Sequence, residues 1–113
     1  MAEAPKDIIA KAYEAVEIAK KTGKIKKGTN ETTKAIELGT ANLVLVAKDV
    51  NTPEIIMHMT PWCKEKNAPL VEVPSKEELG AAAGLSVPTG AIAIIAEGDA
   101  KDLIKEIAMK LKS

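Results

Sequence analysis

Arginine is missing altogether. All 16 basic residues of this 113-residue chain are lysines, so the planar bidentate fork that grips guanine edges or phosphate is unavailable. Phenylalanine is missing too, and Tyr13 and Trp62 are the only aromatics, 2% of the chain. A core must therefore be aliphatic, and so few aromatics argue against serial base stacking, the main source of affinity in single-strand binders. The single Cys63 cannot close an internal disulfide, and with His58 as the only histidine no zinc-ligand set exists. No segment comes near the ~18 consecutive apolar residues of a membrane span, and the opening MAEAPKDII has neither a long apolar run nor a small-residue cleavage site. Together these absences point to a cytoplasmic protein with no metal, cofactor or membrane partner. Net charge is absent as well, since 16 acidic residues balance the lysines.

What is present suffices for one compact domain spanning residues 1–113, with 46% hydrophobic residues to fill its interior. Apolar positions Ile8, Ala12, Ala15, Val16 and Ala19 recur at helical spacing, and Pro5 suits a first helical position, so residues 5–21 read as a helix closed by Gly23. Residues 24–27 read as a short strand with Ile25 inward, and Gly28 turns the chain into a helix from about Asn30 to Leu38, stopped by Gly39. The aliphatic run LVLVA at 43–47 is the signature of a strand covered on both faces. Thr52-Pro53 and Thr60-Pro61 mark two short helical pieces, because proline inside a continuous helix costs roughly 3 kcal/mol. Residues 69–73 form the next strand, and Ser75-Lys76-Glu77-Glu78 has capping-box spacing for a helix ending near Gly84. An apolar but exposed loop, Leu85-Ser86-Val87-Pro88-Thr89-Gly90, precedes a buried strand at 91–96. A last helix starts near Asp99, with Leu103, Ile104, Ile107, Ala108 and Leu111 on one face. Alternating strands and helices predict an α/β fold, a three-layer α/β/α sandwich around a small mixed four-stranded sheet.

Charge is uneven along this neutral chain. Residues 20–34 (KKTGKIKKGTNETTK) hold six lysines and one acid. A cluster that merely grips phosphate gains nothing from a carboxylate at its centre, so Glu31 is informative. Within Gly28-Thr29-Asn30-Glu31-x-x-Lys34, Asn30 donates and accepts, Glu31 only accepts and Lys34 only donates. That mixture suits base edges, where a carboxylate takes a guanine or cytosine N–H, while neighbouring lysines hold phosphates. Taken alone, the lysine run reads equally well as a solvated face.

Other constellations carry less. Gly23-x-x-x-x-Gly28-Thr29 has the glycine spacing of a phosphate-binding loop but lacks the lysine after the second glycine, and a strand occupies its middle. His58, between Met57 and Met59, has no partner arrangement for acid–base chemistry and reads as a packed side chain. Cys63 reads as a small semi-buried side chain. No catalytic group is identified.

The segments Lys26-Lys27-Gly28-Thr29-Asn30-Glu31-Thr32-Thr33-Lys34, 43–49, Ser75-Lys76-Glu77-Glu78-Leu79-Gly80, Gly84-Leu85-Ser86-Val87-Pro88 and 91–95 together resemble, in order, the archaeal L-seven-Ae ribosomal protein family over nearly the whole chain. The resemblance implies a sandwich that binds kink-turns and kink-loops, RNA elements with tandem sheared G·A pairs beside a sharp bend. By position, Asn30, Glu31 and Lys34 would contact the G·A guanines, while Lys26, Lys27, Gly28 and Lys76 would face the backbone. Thr29 lies within the same motif, replacing the family's usual alanine. Asn51 and Ile55 would sit near the bulge, and Leu85, Ser86, Val87 and Pro88 would cover the flipped-out nucleotide. Two further departures are Lys48, where an acid or alanine is frequent, and the Leu-Ser-Val-Pro loop, where many members carry glycine or arginine; the loop bears on subfamily preference.

The implied function is non-catalytic: stabilising bent RNA in the large ribosomal subunit (23S rRNA), in box C/D and H/ACA guide ribonucleoproteins, and in archaeal ribonuclease P. Other core proteins of these particles would be met mainly through RNA. A sister ribosomal family of the same fold with a dedicated rRNA site is the nearest rival. A small-molecule enzyme would need convergent catalytic groups, and a protein-only interaction module would leave the lysine cluster and Glu31 unexplained.

Overall fold

The computed structural model describes residues 6–49, 61, 63, 65, 66 and 68–112, and of 111 and 112 the backbone alone. Helix α1 (Lys6–Thr22) buries Ile8, Ala12, Ala15, Val16 and Ala19, the five positions picked out by periodicity. Strand β1 (Lys24–Lys27) leads through Gly28 into helix α2 (Thr29–Leu38), which Gly39 stops in the left-handed conformation at φ 74°, ψ 19°. Strands β2 (Leu43–Ala47) and β3 (Leu70–Val73) follow, then the seven-residue helix α3 (Lys76–Ala82) and strand β4 (Ala91–Ala96). A 3-10 turn (Gly98–Ala100) runs into helix α4 (Lys101–Lys112). Helix α3 ends slightly before the expected Gly84, which takes a positive φ of 76° in the turn beyond. Pro61, Cys63 and Glu65 are helical. Pro5, Thr52-Pro53, His58 and Thr60 fall outside the described residues.

The sheet is mixed and ordered β1-β4-β2-β3, with β4 antiparallel to both neighbours and β2 parallel to β3. The two-residue period of a strand divides it into two cores. Leu43, Leu45, Ala47, Val71, Val73, Ile92 and Ile94 point into the larger core, against the stripe of α1, Leu79 of α3, and Ile104 and Ile107 of α4. Val44, Val46, Ala91 and Ala93 point the opposite way, against Ala35 and Ile36 of α2 and Cys63. Small alanines on β4's second face let α2 lie close, while the isoleucines of its first face fill the wider space beneath α1. Each fully buried aliphatic side chain contributes ~1.5–3 kcal/mol by leaving water. The layers are thus α/β/α, as the alternation predicted.

Cys63 departs from expectation: it is fully buried in the smaller core rather than semi-buried. Burial pushes its thiol up to about 11, leaving it protonated and unreactive at neutral pH.

Candidate nucleic-acid interface

One end of the sheet collects the segments singled out above. Lys27 at the end of β1 pairs with Ile92 near the start of β4, and the Gly28 N–H donates to the Ala91 carbonyl at 3.0 Å. Val46 of β2 lies opposite Ala91, and Ala47 lies beside Val73 of β3. The Ala47 N–H donates to Gly90 at 2.9 Å and the Lys48 N–H to Val73 at 2.8 Å. The carboxyl ends of β1, β2 and β3 and the amino end of β4 therefore form one edge. From it emerge the start of α2, Lys48-Asp49, Ser75-Lys76 and loop 85–90. Sequence order separates these segments by up to about sixty residues; mixed sheet topology unites them.

Gly28 is the pivot between β1 and α2. Its backbone sits at φ 96°, ψ 157°, a region open essentially to glycine alone, and a Cβ there would meet no atom within 4 Å. The glycine is demanded by backbone conformation, not by crowding. Among the described residues no side chain caps the start of α2. Thr32 N–H bonds back to Gly28 O, and the Thr29, Asn30 and Glu31 amides have no partner among the described residues. The first turn of the helix thus carries donors without a partner among the described residues, and the positive end of its dipole, next to exposed Asn30 and Glu31. Lys34, one turn on, is exposed as well, whereas Thr32 is fully buried and its hydroxyl has no partner among the described residues. Thr29 is half-buried and its carbonyl accepts from the Thr33 hydroxyl at 2.8 Å.

Charge at this end is available for an anion. Lys26 and Lys27 are exposed on an edge strand, and neither they, Lys34 nor Lys76 has an ion-pair partner among the described residues. Two lysines elsewhere are engaged: Lys11 pairs with Glu106 at 2.6 Å and Lys110 with Asp7 at 3.3 Å, joining α1 to α4. The lysine run is not one patch, however. Lys20 and Lys21 end α1, and Lys24 pairs with Ala96 at the opposite end of β1, ~10 Å from Lys27 at ~3.3 Å per residue.

Across the edge, α3 and loop 85–90 form one unit. The Ser75 hydroxyl accepts from Glu78 N–H at 3.2 Å, the capping expected from the sequence. Asp49 Oδ1 adds a second cap, accepting from Lys76 N–H at 2.8 Å. Lys76 O in turn accepts from Thr89 N–H at 3.1 Å. A Cβ on Gly80 would stand 2.4 Å from Val87 O and 3.1 Å from the Pro88 Cα, so the loop lies directly on the helix at the one side-chain-free position. Tyr13 of α1 reaches toward the first turn of α3 from below; burial, and then the Glu78 carboxylate, push its phenol up to about 12. Neither Asp49 nor Gly80 stands out in the sequence by charge or motif, although a glycine inside a helical segment is a signal of close backbone approach.

Within the loop, Ser86, Val87 and Pro88 are exposed, Val87 at 61%. Leu85 corrects the expectation of a wholly exposed apolar loop: it is half-buried and packs against the larger core, since its N–H is held to Gly80 O at 2.9 Å and its side chain turns under α3. Asn51 and Ile55 lie outside the described residues. Among those described, no cluster of acids, histidines and cysteines could hold a metal, and no helix is long and apolar enough to cross a membrane.

Comparison with known proteins agrees with this fold. Residues 10–104 match the model of the ribosomal protein L7Ae/L30e/S12e/Gadd45 family. Among solved structures, the Giardia lamblia 15.5kD RNA binding protein is similar over 99% of this chain and 93% of its own, with a TM-score of 0.91 and 30% sequence identity.

Proposed function

Because the chain belongs to the ribosomal protein L7Ae/L30e/S12e/Gadd45 family, we propose that it is a non-catalytic RNA-binding protein that recognises and stabilises kink-turn and kink-loop RNA. One observation carries the reading: at a single end of the sheet stand a helix start bearing Asn30, Glu31 and Lys34 and lysines 26, 27 and 76, none of them capped or ion-paired among the described residues, together with the exposed apolar side chains of Val87 and Pro88. Each part answers to a component of a bent RNA. Free amides and lysines take phosphates, the mixed donor–acceptor set takes the purine edges of G·A pairs, and the apolar loop covers an unstacked nucleotide.

A sharp bend crowds phosphates together, so cations supplied at the bend favour the bent member of the RNA ensemble. Glu31 supplies selectivity, because a carboxylate is repelled by phosphate and is useful only where a base N–H meets it. We extend the reading to 23S rRNA, box C/D and H/ACA guide RNAs and ribonuclease P RNA as the bound species, in the cytoplasm, with other core proteins of those particles assembling through the RNA. Calorimetric titration with a kink-turn RNA and with the same RNA carrying disrupted G·A pairs tests it. Strong preference for the intact motif is expected; equal affinities would overturn shape and base recognition together.

A further inference from the structure

Asp49 is an anion on a face otherwise arranged for anion binding. A carboxylate there repels RNA phosphates, and unlike Glu31 it does not stand free, because Oδ1 holds the Lys76 N–H at 2.8 Å. Helix α3 has only seven residues, too few to persist without its ends satisfied. Its first turn divides its orphan donors between two side chains: Ser75 takes Glu78 N–H, and Asp49 takes Lys76 N–H from across the sheet edge. Ser75 is local to the helix. Asp49 follows β2, so its bond ties α3 to the central strand.

The tie propagates. Lys76 carries the next link, its carbonyl accepting from Thr89 N–H at 3.1 Å, and Gly90 O accepts from Ala47 N–H at 2.9 Å, two residues before Asp49. The path Asp49, Lys76, Thr89, Gly90, Ala47 closes on the chain from which it began. Val87 and Pro88 stand just outside this ring, resting on Gly80. We infer that Asp49 is a positioning residue for RNA recognition, a latch that sets Lys76 and the Val87-Pro88 loop in register with the α2 start, although it touches no RNA itself. The inference rests on the RNA-binding reading for its consequence, and on the hydrogen-bond ring for its structure.

Two variants of Asp49 separate the latch from simple charge. In Asp49→Asn the side-chain oxygen remains while the repulsive charge is removed, so kink-turn affinity should hold or rise. In Asp49→Ala the bond is lost, and affinity should fall about fivefold or more despite removal of the same charge. Double-mutant cycles then locate the effect: Asp49→Ala should be non-additive with Lys76→Ala and additive with Lys34→Ala, which lies on α2. A merely destabilising change would be additive with both. Unchanged or tighter binding in Asp49→Ala, or additivity with Lys76→Ala, would overturn the proposal. Amide hydrogen exchange without RNA tests the ring independently: protection at Lys76 and Thr89 should drop about tenfold in Asp49→Ala but little in Asp49→Asn. Unaltered protection in Asp49→Ala would refute the latch, whereas wild-type failure to prefer kink-turn RNA, with the protection change intact, would refute the RNA reading alone.

Discussion

Replacing Gly28 with alanine gives the sharpest test, because its two consequences have separate physical origins. At φ 96°, ψ 157° the backbone is strained for any L-residue, by on the order of 1–3 kcal/mol. No clash adds to that, since the new methyl group would point into open space. Alanine also lowers the entropy of the unfolded chain, which offsets about 0.4–1 kcal/mol. The net loss is about 1–2 kcal/mol, and ~1 kcal/mol moves the Tm of a domain near this size by ~4–8 °C. Gly39 is the matched control. At φ 74°, ψ 19° and also in open space, it should lose somewhat less on change to alanine, roughly 1–2 kcal/mol before the same offset. The two glycines bracket α2, but only Gly28 adjoins the free amides, Lys27, Asn30 and Glu31. Gly28→Ala should therefore weaken kink-turn binding about tenfold or more, equivalent to ~1.4 kcal/mol, whereas Gly39→Ala should bind as the unmodified protein does. Thermal melts paired with calorimetric titrations measure both. Intact affinity in Gly28→Ala, or equal losses in the two variants, would refute the assignment of the α2 start as the recognition element.

Glu31→Ala and Asn30→Ala should each weaken kink-turn binding by roughly 1–3 kcal/mol with melting unchanged, since both side chains are exposed; tighter binding in Glu31→Ala would mean that the carboxylate only repels. Affinity should fall steeply with salt, and Lys27→Ala should flatten the log–log slope by up to about one unit. Lys24→Ala should do less, because Lys24 sits at the far end of β1, and equal effects would place the RNA along the whole strand. Val87→Ser should reduce kink-turn affinity without lowering the Tm, while Leu85→Ala should lower the Tm as well, Leu85 being packed on the larger core; the reverse pattern in paired melts and titrations would invert their roles. Stability should decline between about pH 10 and about pH 12, because the unfolded Tyr13 phenol releases its proton near 10 and the folded one holds it to about 12, so the unfolded state binds fewer protons as pH rises. Urea midpoints across this range should show a shallower decline in Tyr13→Phe, and an identical decline would mean that the phenol is not desolvated.

The sequence alone determined whatever depends on local spacing and local chemistry. The α1 stripe, the two-sided burial of LVLVA, the Ser75 cap and the Gly39 stop are legible because period and end signals are carried by residues a few positions apart. The same holds for the chemistry of Gly28-Thr29-Asn30-Glu31-x-x-Lys34, whose members share one helix start. Tertiary structure decided which of these pieces meet. Strand order β1-β4-β2-β3 brings Lys27, Ala47, Val73 and Ala91 to one edge, and no periodicity encodes that adjacency. It also split the lysine run, since a four-residue strand carries Lys24 to one end and Lys27 to the other. Leu85 turned inward for the same kind of reason: its exposure depends on where α3 lies, and α3 lies where Gly80 lets the loop touch it. Asp49 acquired its role only through a hydrogen bond to an amide 27 residues away. Periodicity fixes which face of an element is buried, but the neighbour that covers that face, and the polar group that caps its end, are set by packing between distant parts of the chain.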